Sequence, residues 1–175
     1  MGGGASERGP VDRDRWLAEV YSDLRQRAEH LMRGQKNGTL QPTALVHEAC
    51  LKLFGNEQKE CADRAHLFAL ACTAMRSVLV DYARARQRVK RTAPGHRLPL
   101  DGLYLAFEER AVDLLALHDA LERLGGFDPE MARAVDLTFF GGLTREETAR
   151  TLGIPLRTFE RRWATTVAWL RAEVE

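Results

Sequence analysis

Apolar positions recur at three- and four-residue spacing through most of the chain, and no sustained alternation marks a strand. Trp16, Leu17, Val20, Tyr21, Leu24, Ala28 and Leu31 fall on one face of a first helix over 14–33. RGQKNG (33–38) breaks it. Pro42 and Thr43 open a second helix to about Phe54, with Val46, Ala49, Cys50, Leu53 and Phe54 inward. GNEQKECADR (55–64) is a polar loop. The third helix is the longest, from about Ala65 to Lys90, and carries Phe68, Cys72, Met75, Leu79 and Tyr82 on one stripe. Residues 92–110 hold Pro94, Gly95, Pro99 and Gly102 with weak periodicity, the composition of a flexible linker between domains. Leu114, Leu117, Leu121 and Leu124 then give a heptad-like stripe over Ala111 to Leu124, stopped by Gly125-Gly126. Asp128-Pro129-Glu130 opens a further helix toward Phe140, with Met131, Val135 and Phe139 inward. Gly141-Gly142 leads into the last two helices.

Those last two, within 139–171, carry the clearest local signals. Thr144 followed by Glu147 is a capping box, in which each side chain satisfies a backbone N–H of the other. The helix from Arg145 to Leu152 is short, and Gly153 stands where a left-handed residue ends it. Pro155 sits at or near the first position of the next helix. Phe159, Trp163, Val167 and Leu170 give that helix one buried face, and small Ala149 faces the turn. Arg157, Thr158, Glu160, Arg161 and Arg162 are left for the other side. The pattern is that of a helix-turn-helix with 156–163 as its recognition segment. Turn chemistry alone leaves an ordinary αα-hairpin open.

Charge sharpens the picture. The net charge is +1, but it is segregated. Arg76 to Arg97 contains seven Lys/Arg and one acid, Asp81; Asp101 to Asp136 contains nine acids and three arginines. The third helix therefore ends in ARARQRVKR, where Arg84, Arg86, Arg88, Lys90 and Arg91 surround the helix rather than line one solvated face. That end suits phosphates, with Gln87 available for base edges. Favourable interaction with the helix dipole is the simpler explanation of a basic C-terminus, but it does not call for such density. Three cysteines are too few for a disulfide framework. Cys50, Cys61 and Cys72 with His47 and His66 lack metal-ligand spacing, and Cys50 and Cys72, on apolar helix faces, are expected as buried thiols instead. No apolar run reaches the ~20 residues of a membrane span. The opening MGGGASERGPVDRD has no apolar signal core, and a flexible tail over 1–13 of a cytoplasmic protein is expected. No phosphate loop, nucleophile motif or metal signature points to an enzyme or a cofactor.

The chain resembles the bacterial extracytoplasmic-function (ECF) sigma factors of RNA polymerase, in the sigma-70 family. PTALVHEACLKLF is similar to the second-region helix of that family. HLFALACTAMRSVLVDYARARQRVKR is similar to its minus-ten reading helix. LTREETARTLGIPLRTFERRWATTVAWLR is similar to its fourth-region helix-turn-helix, which reads the minus-thirty-five element. No one motif decides; their order and spacing do. The resemblance implies an all-α fold of two small helical domains, 14–91 and 111–175, joined by the linker 92–110. It implies core RNA polymerase and promoter DNA as partners, an anti-sigma protein as a further one, no membrane, and no enzymatic activity.

It also implies roles for residues. Leu45, His47, Glu48 and Lys52 on the second helix would dock on core polymerase, although plain solvent exposure explains each as well. Asn56, Gln58, Lys59 and Arg64 lie where the family captures a flipped minus-ten base. Arg84, Gln87, Arg88, Lys90 and Arg91 would hold the separating strand, with Asp81 orienting Arg84 across one turn. Arg157, Thr158, Glu160, Arg161 and Arg162 would meet the upstream duplex, and Thr144 and Arg145 its backbone. Phe159 and Trp163 are expected in the core.

Some positions depart from the family pattern. Glu160 stands where a lysine or other polar residue is usual, Pro155 where a small polar residue is usual, and Gly125-Gly126 where Leu-Pro is usual. Thr148 replaces an aliphatic residue and is expected to thin the core. Two other functions remain open on sequence: a sigma-like decoy for an anti-sigma protein, and a stand-alone helix-turn-helix regulator. The first has no need of both basic clusters. The second leaves the N-terminal helices without a task.

Overall fold

The computed structural model describes residues 10–32, 40–55, 61–92 and 114–174. Every element among these residues is a helix, in the order α1 (Pro10–Leu31), α2 (Pro42–Phe54), α3 (Arg64–Thr92), α4 (Leu114–Phe127), α5 (Pro129–Val135), a π-helical turn (Asp136–Phe140), α6 (Arg145–Leu152) and α7 (Leu156–Val174). No described helix is long and apolar enough to cross a membrane.

α3 is the spine. α1 and α2 pack on one side of it; α4 and the π-turn pack on another. α1 contributes Val20, Leu24, Ala28 and Leu31, all buried. Fully burying a leucine such as Leu24 is worth roughly 1.5–3 kcal/mol. Because α3 is clasped by two layers, its buried arc is wider than the single stripe its sequence suggests. Leu67, Ala69, Ala71, Val78 and Val80 are buried beside Phe68, Cys72, Met75 and Leu79. Burial pushes the Cys72 thiol well up, so it packs as a neutral apolar group.

α4 does not stop at Gly125-Gly126. It runs on to Phe127, and the Asp128 N–H still bonds to the Leu124 carbonyl at 2.7 Å. Two glycines weaken the helix but do not end it. Pro129 ends it, by forcing Asp128 out of helical dihedrals (φ −141°, ψ 74°). The Asp128 carboxylate then caps α5, accepting from the Met131 N–H at 3.1 Å.

The segment after α5 departs from a regular helix. Asp136–Phe140 is wound as a π-turn, closed by the Gly141 N–H on the Asp136 carbonyl at 3.0 Å. The extra residue in the turn rotates the register. Leu137 and Phe140 are buried, while Phe139, expected inward, is only half-buried. Gly141 and Gly142 follow for steric reasons. A Cβ at Gly141 would lie 2.9 Å from Cys72 Sγ and 2.5 Å from the Leu137 carbonyl oxygen. Gly142 has φ +72° and lies under the Arg27 guanidinium.

Candidate nucleic-acid interface

α6 begins with the reciprocal cap its sequence announces. Thr144 Oγ1 accepts from the Glu147 N–H at 3.2 Å, and Glu147 Oε2 accepts from the Thr144 N–H at 2.8 Å. The Thr144 N–H donated to it holds the Glu147 carboxyl below its usual range. Gly153 ends α6 at φ +69°, ψ 23°. The Ile154 N–H reaches back to the Ala149 carbonyl at 2.9 Å. Pro155 stands just before α7, where its carbonyl accepts from the Phe159 N–H. Ala149 is buried against this turn. Thr148 is buried too, but it does not leave a gap: its hydroxyl meets that of Thr138 at 3.2 Å. A matched hydroxyl pair removes the penalty expected for a polar atom there.

On α7, Phe159 and Trp163 are buried and stacked, with centroids 5.5 Å apart. They fix the rotation of the helix. Arg157, Glu160 and Arg161 are thereby exposed, and Thr158 is half-buried. Among the described residues no ion pair engages Arg157, Glu160 or Arg161. Arg162 differs. Its Nη2 lies 2.9 Å from Asp128 Oδ1, and its Nη1 pairs with Glu130. Glu130 and Asp128 together hold the guanidinium above its ordinary value. The sequence groups Arg162 with the outward residues; the structure turns it sideways into a tie between α7 and the start of α5. Thr144 and Arg145 are both exposed at the α6 entry, but the Thr144 hydroxyl is committed to its cap.

At the other cationic surface, Arg84 and Arg88 are exposed on α3. Asp81 does not orient Arg84. It pairs across to Lys52 of α2, whose ammonium also donates to Ser77 Oγ at 2.8 Å. Arg84 Nη2 instead faces Asp119 of α4 at 3.6 Å. Arg64 is likewise engaged, with Glu19 at 2.9 Å and with Asp23, so it anchors the start of α3 to α1. Asn56, Gln58 and Lys59 lie outside the described residues. So do the side chains of Arg86, Gln87, Lys90 and Arg91.

On α2 one expectation is reversed. Leu45 is 0% exposed and belongs to the core, so it is unavailable to a partner. Leu51, 61% exposed, is the apolar residue on the outer surface, beside His47 and Glu48 one turn earlier. The spacing Leu45–Val46–Ala49–Leu53 carries this signal: it is the buried stripe, and Leu51 falls opposite. The His47 ring meets the Tyr21 hydroxyl at 3.1 Å, Glu48 is exposed, and Lys52 is held by Asp81.

Two exposed arginine surfaces, at the far end of α3 and on the first turns of α7, suit a polyanion touched at two places. The family model described as ECF sigma factor matches residues 8–175. Comparison with curated proteins gave no match, and comparison with solved structures gave none either. ECF sigma factors act in transcription initiation. With the match running over nearly the whole helical array, the chain belongs to the ECF sigma factor family.

Proposed function

We propose that this chain joins core RNA polymerase and selects promoters by touching DNA at two elements. The observation that carries this reading is the exposure of Arg157, Glu160 and Arg161 together on α7 above the pinned Phe159–Trp163 pair, in a chain that matches the family along its length. A helix held in rotation by buried aromatics presents the same side chains to the major groove each time. Arg157 and Arg161 suit phosphates or guanine edges; Glu160 suits the N4 amino group of cytosine. Arg145, at the entry of α6, adds a backbone contact, and Thr144 caps the helix that presents it. The basic end of α3, with Arg84, Gln87, Arg88, Lys90 and Arg91, holds the opened minus-ten strand. Asn56 and Lys59, in the segment before α3, flank that strand. The outer face of α2, with His47, Glu48 and Leu51, meets core polymerase, and Arg64 and Lys52 brace the helices that present these groups. An anti-sigma protein would compete for these surfaces.

Selection from a random duplex library by the chain bound to core polymerase tests this reading. The expected product is a family of sites with two enriched elements at fixed separation. Enrichment of one element alone, or of none, contradicts it.

A further inference from the structure

A cleft of about 620 Å³ opens between α1, the first turns of α3 and the turn that leads into α6. Gln26, Arg27 and His30 of α1, Arg64 of α3 and Thr151 of α6 line it, and Phe68 and Leu143 give it an apolar wall. Its volume falls within the roughly 300–1,000 Å³ of small-molecule sites, and its lining joins a few polar groups to apolar surface as those sites do.

The charges around the cleft do not cancel. Arg15 and Arg64 balance Glu19 and Asp23. Arg15 Nε lies 3.1 Å from Glu19 Oε1, Arg64 Nε lies 2.9 Å from Glu19 Oε2, and Arg64 Nη2 pairs with Asp23. Arg27 is left over. Among the described residues no carboxylate pairs with it. Its Nη2 donates to the Phe139 carbonyl at 2.6 Å, and its Nε is buried without a hydrogen-bond partner. Gly142, at φ +72°, brings bare backbone under the guanidinium, where a Cβ would lie 3.0 Å from Nε. Burial lowers the Arg27 pKa, opposed only by the Cys72 thiol. That is the direction of a cation the fold does not offset. A half-buried charge without a counter-ion is unfavourable, and an anion in the cleft would relieve it.

We propose that this cleft binds a phosphate monoester of nucleotide size, with its phosphate on Arg27. The guanidinium, the Gln26 amide and the Thr151 hydroxyl supply donors for three terminal oxygens, more than the two oxygens of a carboxylate use. Inorganic phosphate alone would leave most of the volume to water, so the ligand carries a body that covers Phe68 and Leu143. The site is not an extension of the arginine surface at the far end of α3. Arg64 and Arg84 stand twenty residues apart on that helix, roughly 30 Å.

The test is titration calorimetry of the full chain with AMP, adenosine, inorganic phosphate and glutarate. AMP is expected to bind about tenfold more tightly than inorganic phosphate, and adenosine and glutarate to give no binding heat. Arg27→Gln is expected to abolish AMP binding. Gln26→Glu and Arg25→Gln each lower the net charge by one, but only Gln26 lines the cleft. Gln26→Glu is expected to weaken AMP binding about tenfold at unchanged melting temperature, and Arg25→Gln to leave it unchanged. Arg27→Gln also loses the bond to Phe139; if that variant does not fold, exposed Gln26 still decides. Equal affinities in Gln26→Glu and Arg25→Gln overturn the proposal, as does the absence of AMP binding. Adenosine binding as tightly as AMP overturns the role of Arg27. Glutarate or inorganic phosphate matching AMP overturns the assigned ligand class.

Discussion

Arg162 Nη2 sits 2.9 Å from Asp128 Oδ1, joining the recognition-side helix to the cap of α5. Asp128 thus serves two elements at once, since its carboxylate also accepts from the Met131 N–H. Glu130 completes the clasp. A forked guanidinium matched by two half-buried carboxylates is stronger than an ordinary surface pair, although partial solvent access discounts it. Arg162→Ala is expected to destabilise the fold by about 1 kcal/mol in urea unfolding. Its effect on duplex affinity is expected to be smaller than that of Arg161→Ala. Equal stability and a larger loss of DNA binding would place Arg162 on the DNA instead.

Arg157 and Arg161 are exposed and make no ion pair among the described residues, so no internal contact is lost with them. Arg157→Ala and Arg161→Ala are each expected to leave the melting temperature nearly unchanged. Each is expected to reduce the slope of log affinity against log salt by about 1 if it contacts phosphate. A slope that stays fixed while base preference changes identifies a base-edge contact. Unchanged slope, affinity and preference would put the wrong face of α7 on DNA.

Two glycines give opposite expectations. A Cβ at Gly141 collides with a backbone oxygen and with Cys72 Sγ, so Gly141→Ala is expected to destabilise by about 1–3 kcal/mol. Gly126 lies within α4 with open space around it. Gly126→Ala is expected to stabilise by about 0.5–1 kcal/mol, since alanine costs less entropy in a helix. Chemical unfolding of the pair checks both signs.

Where α3 meets α4 and the π-turn, Arg76 Nη1 reaches His118 Nδ1 at 2.6 Å and Arg76 Nε lies 2.8 Å from Asp136 Oδ1. This contact should respond to pH through two groups of opposite sense. Burial, then Arg76, lowers the His118 pKa; Glu122 and Asp119 oppose this and Arg84 adds to it. A depressed folded pKa gives stability that is present above the ordinary histidine value and is lost as pH falls through the folded one. Burial raises the Asp136 pKa, with Arg76 and Thr73 opposing. A raised folded pKa gives stability that is present below the ordinary aspartate value and is lost as pH rises. His118→Gln keeps an acceptor for Arg76 but cannot take a proton. Between pH 7.5 and 5.5 the wild type is expected to lose more stability than His118→Gln does. Parallel curves for the two proteins would contradict the coupling.

Local chemistry was legible wherever one segment satisfied itself. Pro42 and Phe54 bound α2 as their sequence indicates, and the Thr144–Glu147 cap and the Gly153 terminus form where expected. What stayed hidden depends on partners far along the chain. Nothing near Arg76 announces Asp136, sixty residues on. Arg162 looks outward until Asp128 and Glu130 are placed beside it. The π-turn moves Phe139 out and Phe140 in, because one extra residue shifts a register that periodicity assumes constant. Gly125-Gly126 read as a stop since glycine is a poor helix former, yet Pro129 sets the boundary. Of the site, exposure of Arg157, Glu160 and Arg161 followed from the Phe159–Trp163 spacing alone. The engagement of Lys52, Arg64 and Arg84 did not, because each pairs with a different helix.

Transcription with core RNA polymerase over fragmented genomic DNA tests the promoter-selecting role most directly. Discrete transcripts that require the chain, and that weaken when both Arg157 and Arg161 are replaced by alanine, are the predicted result. Binding to core polymerase without any chain-dependent transcript would contradict it.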